Sequence, residues 1–434
     1  MSNSANWPTR TVSELVGEVT SGGTPQSGSS RYYTEQEGIP FAKIDDLTAT
    51  AGAFISDTFL HVNDVALRET ALKAYPPGTI LVSMYGTIGL VKITSNTLSA
   101  NQAVAALVPP FKCDPKYLYH FLVWSRSRWE RYKAQTTQAN INGSIVKNFS
   151  ISIPSVPEQQ RIAEILDTLD DQIHVTEQIV EKLTSARVGL LTVLLTRGID
   201  ELGQVREARL KPDEFVETPL GQLPRSWSVR PLAELLSTVD PAMRSGPFGS
   251  ALLKSELVKT GVPLLGIDNV HIDRFVADYT RFVTPAKAQE LSRYRVRPED
   301  VMITIMGTVG RACVVPGDIG HVLSSKHVWT MTFDKDRYLP YLVSLQLNHA
   351  SWAKAHFRSD EQGGIMSAIR SETLRSLLLP VPPIQEQHKI ANVLSAADQR
   401  LADEKAELAK LRLTKAGLVS DLLSDRVRVP MEVA

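Results

Sequence analysis

The chain has 434 residues, 47 Lys+Arg against 47 Asp+Glu, and 43% hydrophobic residues; this predicts about two to four domains with enough apolar mass for real cores and excludes a strong global field of either sign. No apolar run approaches the roughly twenty residues of a membrane span, and Met1-Ser-Asn-Ser-Ala lacks a signal-peptide core, so a soluble, cytoplasmic protein is expected. The two cysteines, Cys113 and Cys313, exclude a disulfide framework or a cysteine-based zinc site and read as buried small hydrophobes.

Taken in order, the chain predicts its elements in pairs. A first globular segment opens at Trp7-Pro-Thr-Arg-Thr-Val12, and its counterpart opens at Trp227-Ser-Val-Arg-Pro-Leu232. Gly22-Gly-Thr-Pro25 and Gly246-Pro-Phe-Gly249 predict loops after short helices. Gly38 to Leu47 and Gly261 to Val270 each predict a strand running into an acidic turn. Pro77 to Gly89 and Pro298 to Gly310 carry a β-branched run broken by Gly-Thr-x-Gly, which predicts a strand, a tight turn and a return strand. As a phosphate-binding signal that tetrapeptide is weak, because the helix and lysine of a P-loop are missing.

A strand over Ala100 to Val108 (Ser325 to Met331 in the second segment) and a helix over Pro115 to Trp124 (Tyr338 to Leu347) follow. Then Arg126-Ser-Arg128-Trp129-Glu-Arg131-Tyr132-Lys133 interleaves four cations with two aromatics and runs into the uncharged polar stretch Ala134 to Gly143. That combination suits a surface that holds phosphates and reads bases, but it also suits the solvated end of an amphipathic helix. The matching stretch of the second segment, Ala353 to Gly364, is less basic, and extra cations lie instead in Arg293-Tyr-Arg295-Val-Arg297. Residues 1–150 carry 13 Lys+Arg against 11 acids and 227–380 carry 18 against 15, whereas 158–200 carry 4 against 8. Any DNA contact must therefore come from local clusters.

Each globular segment is followed by a long amphipathic helix, Glu158 to Arg197 and Glu386 to Asp425, and the two align without a gap at an offset of 228. Spacing of four and three places Ile162, Leu166, Leu169, Ile173, Thr176, Val180, Leu183, Arg187, Leu190 and Leu194 on one face, with Ile390, Leu394, Ala397, Leu401, Glu404, Leu408, Leu411, Lys415, Leu418 and Leu422 as their equivalents. This is a coiled-coil seam whose two polar interruptions fall at the same steps in both copies; the alternative is that each stripe is the buried face of a domain helix. At 1.5 Å per residue each helix spans about 60 Å. The expected fold is α+β: two similar α/β globular domains separated by two long helices pairing as an antiparallel coiled coil, with an internal pseudo-two-fold repeat. The expected divisions are a first domain at 1–153, a central helical region at 154–199, a linker at 200–226, a second domain at 227–380 and a distal helical region at 381–434.

Catalytic signatures are missing. A methyltransferase needs a Gly-x-Gly cofactor loop and an Asn/Asp-Pro-Pro-aromatic tetrad, of which Val108-Pro-Pro-Phe111 lacks the leading amide or acid. A Walker-type lysine loop and a His-Glu-x-x-His helix are also absent, and the nine histidines are scattered. A duplicated chain of this kind reads as a non-enzymatic reader or adaptor, with no metal site.

The Pro-x-x-Pro-Glu-Gln-Gln-Arg-Ile-Ala opening of the first long helix and its second copy, the two Gly-Thr-x-Gly turns, and Pro219-Leu-Gly-Gln-Leu-Pro-x-x-Trp227 closely resemble the specificity subunit of type I restriction-modification systems. His388 and Lys389 depart from the pattern where the first copy has Gln160 and Arg161. The resemblance implies two target-recognition domains, each reading one half of an asymmetric bipartite DNA site, with the helices setting the spacer and docking two methyltransferase subunits. It also implies that S-adenosylmethionine is bound by those partners, that this chain carries no cofactor, and that motor-nuclease restriction subunits join the assembly. Lys43, Asn101, Gln102, Thr136, Thr137, Gln138, Asn140, Asn142, Lys326, His327 and Gln362 are candidates for base contact. Arg126, Arg128, Arg131, Lys133, Arg293, Arg295 and Arg297 are candidates for phosphate contact, and Arg358 joins the DNA-binding set. A related methyltransferase-nuclease system and a non-DNA protein scaffold are the alternatives.

Overall fold

The computed structural model describes residues 7–133, 140–360 and 368–429. They fall into two compact units, Met1–Ile179 with Glu404–Ala434, and Val180–Asp403. Each unit thus combines a globular segment with part of both long helices.

In the first unit, Glu18–Ser21, Val104–Val108, Ile80–Ser83, Val91–Thr94 and Phe54–Ile55 form one five-stranded sheet in that spatial order. A second sheet is ordered Tyr33–Thr34, His61–Val62, Ile39–Ala42, Leu98–Ala100, Ala74–Tyr75, with Ile39–Ala42 and Leu98–Ala100 parallel. In the second unit, Met243–Ser245, Val328–Met331, Val301–Thr304 and Ala312–Val314 form the first sheet. Phe282–Val283, Val262–Leu265, Val322–Ser324 and Arg295–Val296 form the second, whose Val262–Leu265 and Val322–Ser324 are again parallel. The repeat therefore extends from sequence to strand order. Its central strands are buried on both faces, which is why Ile80–Ser83 and Val301–Thr304 read as continuous apolar runs rather than alternating ones.

Several boundaries differ from expectation. The run from Ala100 to Val108 is two strands in two sheets, broken where Asn101 Oδ1 accepts the Ala103 N–H at 3.1 Å; an Asx-type bond turns the chain without glycine or proline. Ser325 to His327 is a loop, and the strand starts at Val328. The helix over Pro115–Trp124 has the predicted bounds, with Asp114 capping Tyr117 N–H at 2.9 Å and proline at the first helical position; its counterpart is Pro340–His349. Residues 200–226, expected as a linker, contain a hairpin, Phe215–Thr218 paired with Gly221–Pro224.

The long helices run over Val156–Thr196 and Ile384–Leu423. The first starts two residues earlier than predicted because Pro157 fits the first turn, where its missing N–H leaves no bond unmade. Gln159 and Gln387, buried and equivalent in the repeat, pin each helix start. Gln159 accepts the Asp114 N–H at 2.7 Å and donates to Pro154 O at 2.8 Å; Gln387 accepts the Leu339 N–H at 2.9 Å and donates to Pro382 O at 2.8 Å. In the first unit Ile162, Ala163 and Leu166 share the core with Leu422 and Leu423. In the second, Leu191, Leu194 and Leu195 share it with Ile390 and Leu394. Each such leucine removed from water stabilises its unit by about 1.5–3 kcal/mol. The start of one helix thus packs beside the end of the other within each unit. Glu158 is bound by Arg428, after the second helix, at 3.3 Å, and Glu386 by Arg206, after the first, at 3.1 Å.

Cys113 and Cys313 are free and buried, and burial pushes both thiols up to about 12. No helix among the described residues is long and apolar enough to cross a membrane.

Candidate nucleic-acid interface

Five segments converge at one end of the first unit's sheets. Gly22 permits the first approach: a Cβ there would lie 1.5 Å from Ala100 O, so this loop can meet the end of Leu98–Ala100 only without a side chain. Thr24 then donates to the Gln102 side chain. Asn101 N–H donates to Ala42 O at 3.1 Å, which brings the Asn101-Gln102 loop beside Lys43. Met84 N–H donates to Ala103 O at 2.8 Å, and Ile141 N–H to Met84 O at 3.0 Å, drawing in the Gly-Thr-x-Gly turn and the residues after the polar stretch.

Lys43, Asn101, Gln102, Asn140 and Asn142 are thereby brought together. Gln102 and Asn142 are exposed; Lys43, Asn101 and Asn140 are half-buried. Asn142 also has local work, capping the Gly143–Lys147 helix through Ile145 N–H at 3.0 Å. Thr136, Thr137 and Gln138 lie outside the described residues.

The basic helix runs over Arg126–Lys133 and ends on Lys133. It packs on the Gly-Thr-x-Gly turn, since a Cβ at Gly89 would come within 3.0 Å of Trp129 and 3.4 Å of Arg126. Arg126 and Arg131 are exposed. Arg128 is half-buried, with its guanidinium 4.8 Å from the Phe149 ring centre, and Phe149 stacks on Trp129 at 3.8 Å. Much of the Arg128 side chain therefore serves packing and cation–π attraction, which sequence spacing could not separate from the two exposed arginines.

The second unit repeats the convergence with other side chains. Gly246, whose Cβ would lie 2.2 Å from Ser324 O, donates its N–H to Ser325 O at 3.1 Å. Ser325 N–H donates to Leu265 O at 2.8 Å, and Ile305 N–H to His327 O at 3.0 Å. Asp268, exposed Lys326 and half-buried His327 thus gather beside Met306-Gly-Thr-Val-Gly310. Burial, helped by the Lys326 and Arg281 cations, holds the His327 imidazole below its ordinary value, which favours the neutral ring, able both to donate and to accept.

Arg293 and Arg295 are exposed. Strand Arg295–Val296 pairs antiparallel with Val322–Ser324, Arg295 opposite Leu323, so Arg297 is carried away from the Lys326-His327 end. There it donates to Pro241 O at 3.3 Å beside the buried Arg244–Asp300 ion pair. Arg297 is not part of the loop cluster. Arg358 is exposed on the helix Ser351–Asp360, the counterpart of the basic helix, and Gln362 lies outside the described residues. Phe248, Tyr85 and Met306 were missed: all three are exposed, and each adjoins a glycine turn, the signal that could have marked them.

The model of the type I restriction modification DNA specificity domain matches residues 5–185 and 267–413. The putative type I restriction enzyme MjaX specificity subunit of Methanocaldococcus jannaschii is 24% identical over 441 residues, spanning 98% of this chain and 94% of its own. The type I restriction enzyme EcoBI specificity subunit of Escherichia coli is 22% identical over 368 residues, covering 83% and 73% of the two chains. The crystal structure of the type I restriction-modification S subunit from M. genitalium superposes with a TM-score of 0.57 at 18% identity, covering 98% of this chain and 97% of that one. The chain belongs to the type I restriction-modification DNA specificity family.

Proposed function

We propose that the chain is the DNA-recognition subunit of a type I restriction-modification complex in which 1–153 and 227–380 are separate target-recognition domains, each reading one half of an asymmetric bipartite site. The observation that carries this is the duplicated convergence of loops: two similar sheet scaffolds bring different polar and charged side chains to the same end, Asn101 and Gln102 in one and Lys326 and His327 in the other. One fold used twice with unlike tips suits two unlike half-sites. Asparagine and glutamine pair with adenine edges, and lysine with guanine; Arg126, Arg131, Arg293, Arg295 and Arg358 supply phosphate contacts.

The helical regions, 154–199 and 381–434, form an antiparallel coiled coil with an internal pseudo-two-fold, and they fix the unread spacer. Support comes from the matched partners at the helix ends, Glu158 with Arg428 and Glu386 with Arg206. The helices and neighbouring surfaces dock two methyltransferase subunits, which bind S-adenosylmethionine, and the motor-nuclease subunits join that core. As in the family, catalysis lies in those partners.

The test is to sequence methylated positions in a host that expresses the chain with its methyltransferase. A bipartite motif with two unlike halves and an unread spacer is expected; methylation independent of the chain, or a single continuous motif, would contradict the proposal.

A further inference from the structure

The two units carry different side chains in their loop clusters, yet they share one exposed element almost bond for bond. In the first, the Ser83 hydroxyl donates to Thr87 O at 2.5 Å and accepts the Leu90 N–H at 2.9 Å, while Gly89 N–H donates to Ser83 O at 3.0 Å. In the second, the Thr304 hydroxyl donates to Thr308 O and accepts the Arg311 N–H at 3.0 Å, while Gly310 N–H donates to Thr304 O at 2.9 Å. Gly86 and Gly307 hold φ of 58° and 73°. Tyr85-Gly-Thr87 and Met306-Gly-Thr308 are exposed.

The outer side of both turns is open. A Cβ at Gly86 would meet nothing within 4 Å, and one at Gly307 only Ile267 at 3.6 Å. Among the described residues, the N–H groups of Gly86, Thr87, Gly307 and Thr308 and the two threonine hydroxyls donate to no protein acceptor. Successive free N–H groups on a turn containing a left-handed residue form a concavity that suits an anion. The Arg126 side chain packs its aliphatic part against Gly89 in the first unit, and Arg311 follows Gly310 in the second.

We propose that the two Gly-Thr-x-Gly turns are a matched pair of phosphate-binding sites that hold the DNA backbone independently of sequence. The inference rests on the DNA-recognition reading above. An element built identically in two domains that read different bases cannot carry the difference between them. It fits the ligand both half-sites share, the phosphodiester, whose oxygens accept from backbone N–H and threonine hydroxyl groups. The adjoining Asn101-Gln102 and Lys326-His327 loops, which differ, are left for the bases.

The experiment uses the full chain with its methyltransferase partner, wild type and as T87E, T308E, the double variant and T87K. Each is titrated with a duplex carrying the cognate site and one lacking it, from 50 to 200 mM salt. Each glutamate should weaken both duplexes alike, by about tenfold, and lower the salt slope by about 0.9; the double variant should lower it about twice as far, and T87K should raise it. Melting temperatures should not change, because both threonines are exposed. Unchanged affinity and slope, or a loss confined to the cognate duplex, would overturn the proposal. If the wild-type complex binds no duplex in a salt-dependent way, the DNA-recognition reading fails as well; if it binds and only the variants are indistinguishable from it, the phosphate sites alone are wrong.

Discussion

The Arg187 guanidinium binds the Asp398 carboxylate, and Lys415 and Asp170, the residues at the same two steps of the 228-residue repeat, form the same bond with the helices exchanged. The cationic interruption of each apolar seam is therefore placed opposite an acid on the other helix. The environments differ, because Arg187 also donates to Asp273 at 2.7 Å and is 15% exposed, whereas Lys415 and Asp170 are 26% and 40% exposed. Arg187→Ala should cost about 1.5–3 kcal/mol, since it removes a charged donor from two partly buried carboxylates that keep only His349 and Asn348, and Tyr341, as partners; Lys415→Ala should cost about 1 kcal/mol or less. Chemical unfolding of the two variants checks the order, and equal losses would deny the difference in burial its role.

The same cluster sets an acid limit. Burial works against both charges, but the hydrogen bonds prevail: Asp398 and Asp273 hold Arg187 above its ordinary value, while His349 and Arg187 hold Asp273 below the usual carboxylate range. A depressed carboxylate contributes stability that is present above its unfolded pKa of about 4 and is lost as pH falls through the folded value. Stability should therefore decline below about pH 4, and Asp273→Asn should be less stable at pH 7 but flatter in that acid range. A profile for Asp273→Asn as steep as the wild type would assign the acid loss elsewhere.

Gln159 and Gln387 join each helix start to its globular segment through buried backbone bonds. Replacement by leucine leaves the Asp114 N–H or Leu339 N–H and a proline carbonyl without partners, at a cost of about 1–3 kcal/mol each. Thermal unfolding reads this directly, and a neutral Gln387→Leu would show that the motif's glutamine is not a structural pin.

The duplicated helices and the glycine turns were legible because they rest on local chemistry: helical periodicity, proline before a helix start, and glycine where φ is positive. The break at Asn101 was not, since Ala100 to Val108 has the β-forming character of one strand and only a side-chain bond to Ala103 N–H divides it. Likewise Thr218-Pro-Leu-Gly221 sits in a charged, proline-bearing run that resembles linker, yet it is the turn of a hairpin. In the candidate interface, spacing found Arg126, Arg128 and Arg131 together, but only the packing of Arg128 on Phe149 separates it from the other two.

That separation predicts different phenotypes. Arg126→Ala and Arg131→Ala should weaken binding to all DNA sequences and lower the salt slope by about 0.9 each without changing the melting temperature. Arg128→Ala should instead lose stability, by about 0.5–1 kcal/mol for the ring contact. Salt titration and thermal unfolding of the three variants distinguish the roles.

If the helices fix the spacer, inserting one heptad at matched positions of both preserves the seam and adds about 10 Å, or about three base pairs. An unmatched two-residue insertion should turn the apolar stripe by about 200° and cost folding instead. Unchanged spacing in an active matched variant would move the ruler to the linker or to the partner subunits.

The most direct measurement is the methylated motif of two loop variants, Asn101→Ala with Gln102→Ala and Lys326→Ala with His327→Ala, each expressed with the methyltransferase. Each pair should relax specificity, by about 1–3 kcal/mol per lost base contact, in one half of the bipartite site and leave the other half unchanged, the two variants affecting opposite halves. Relaxation of both halves by one variant, or of the same half by both, would contradict two independent recognition domains.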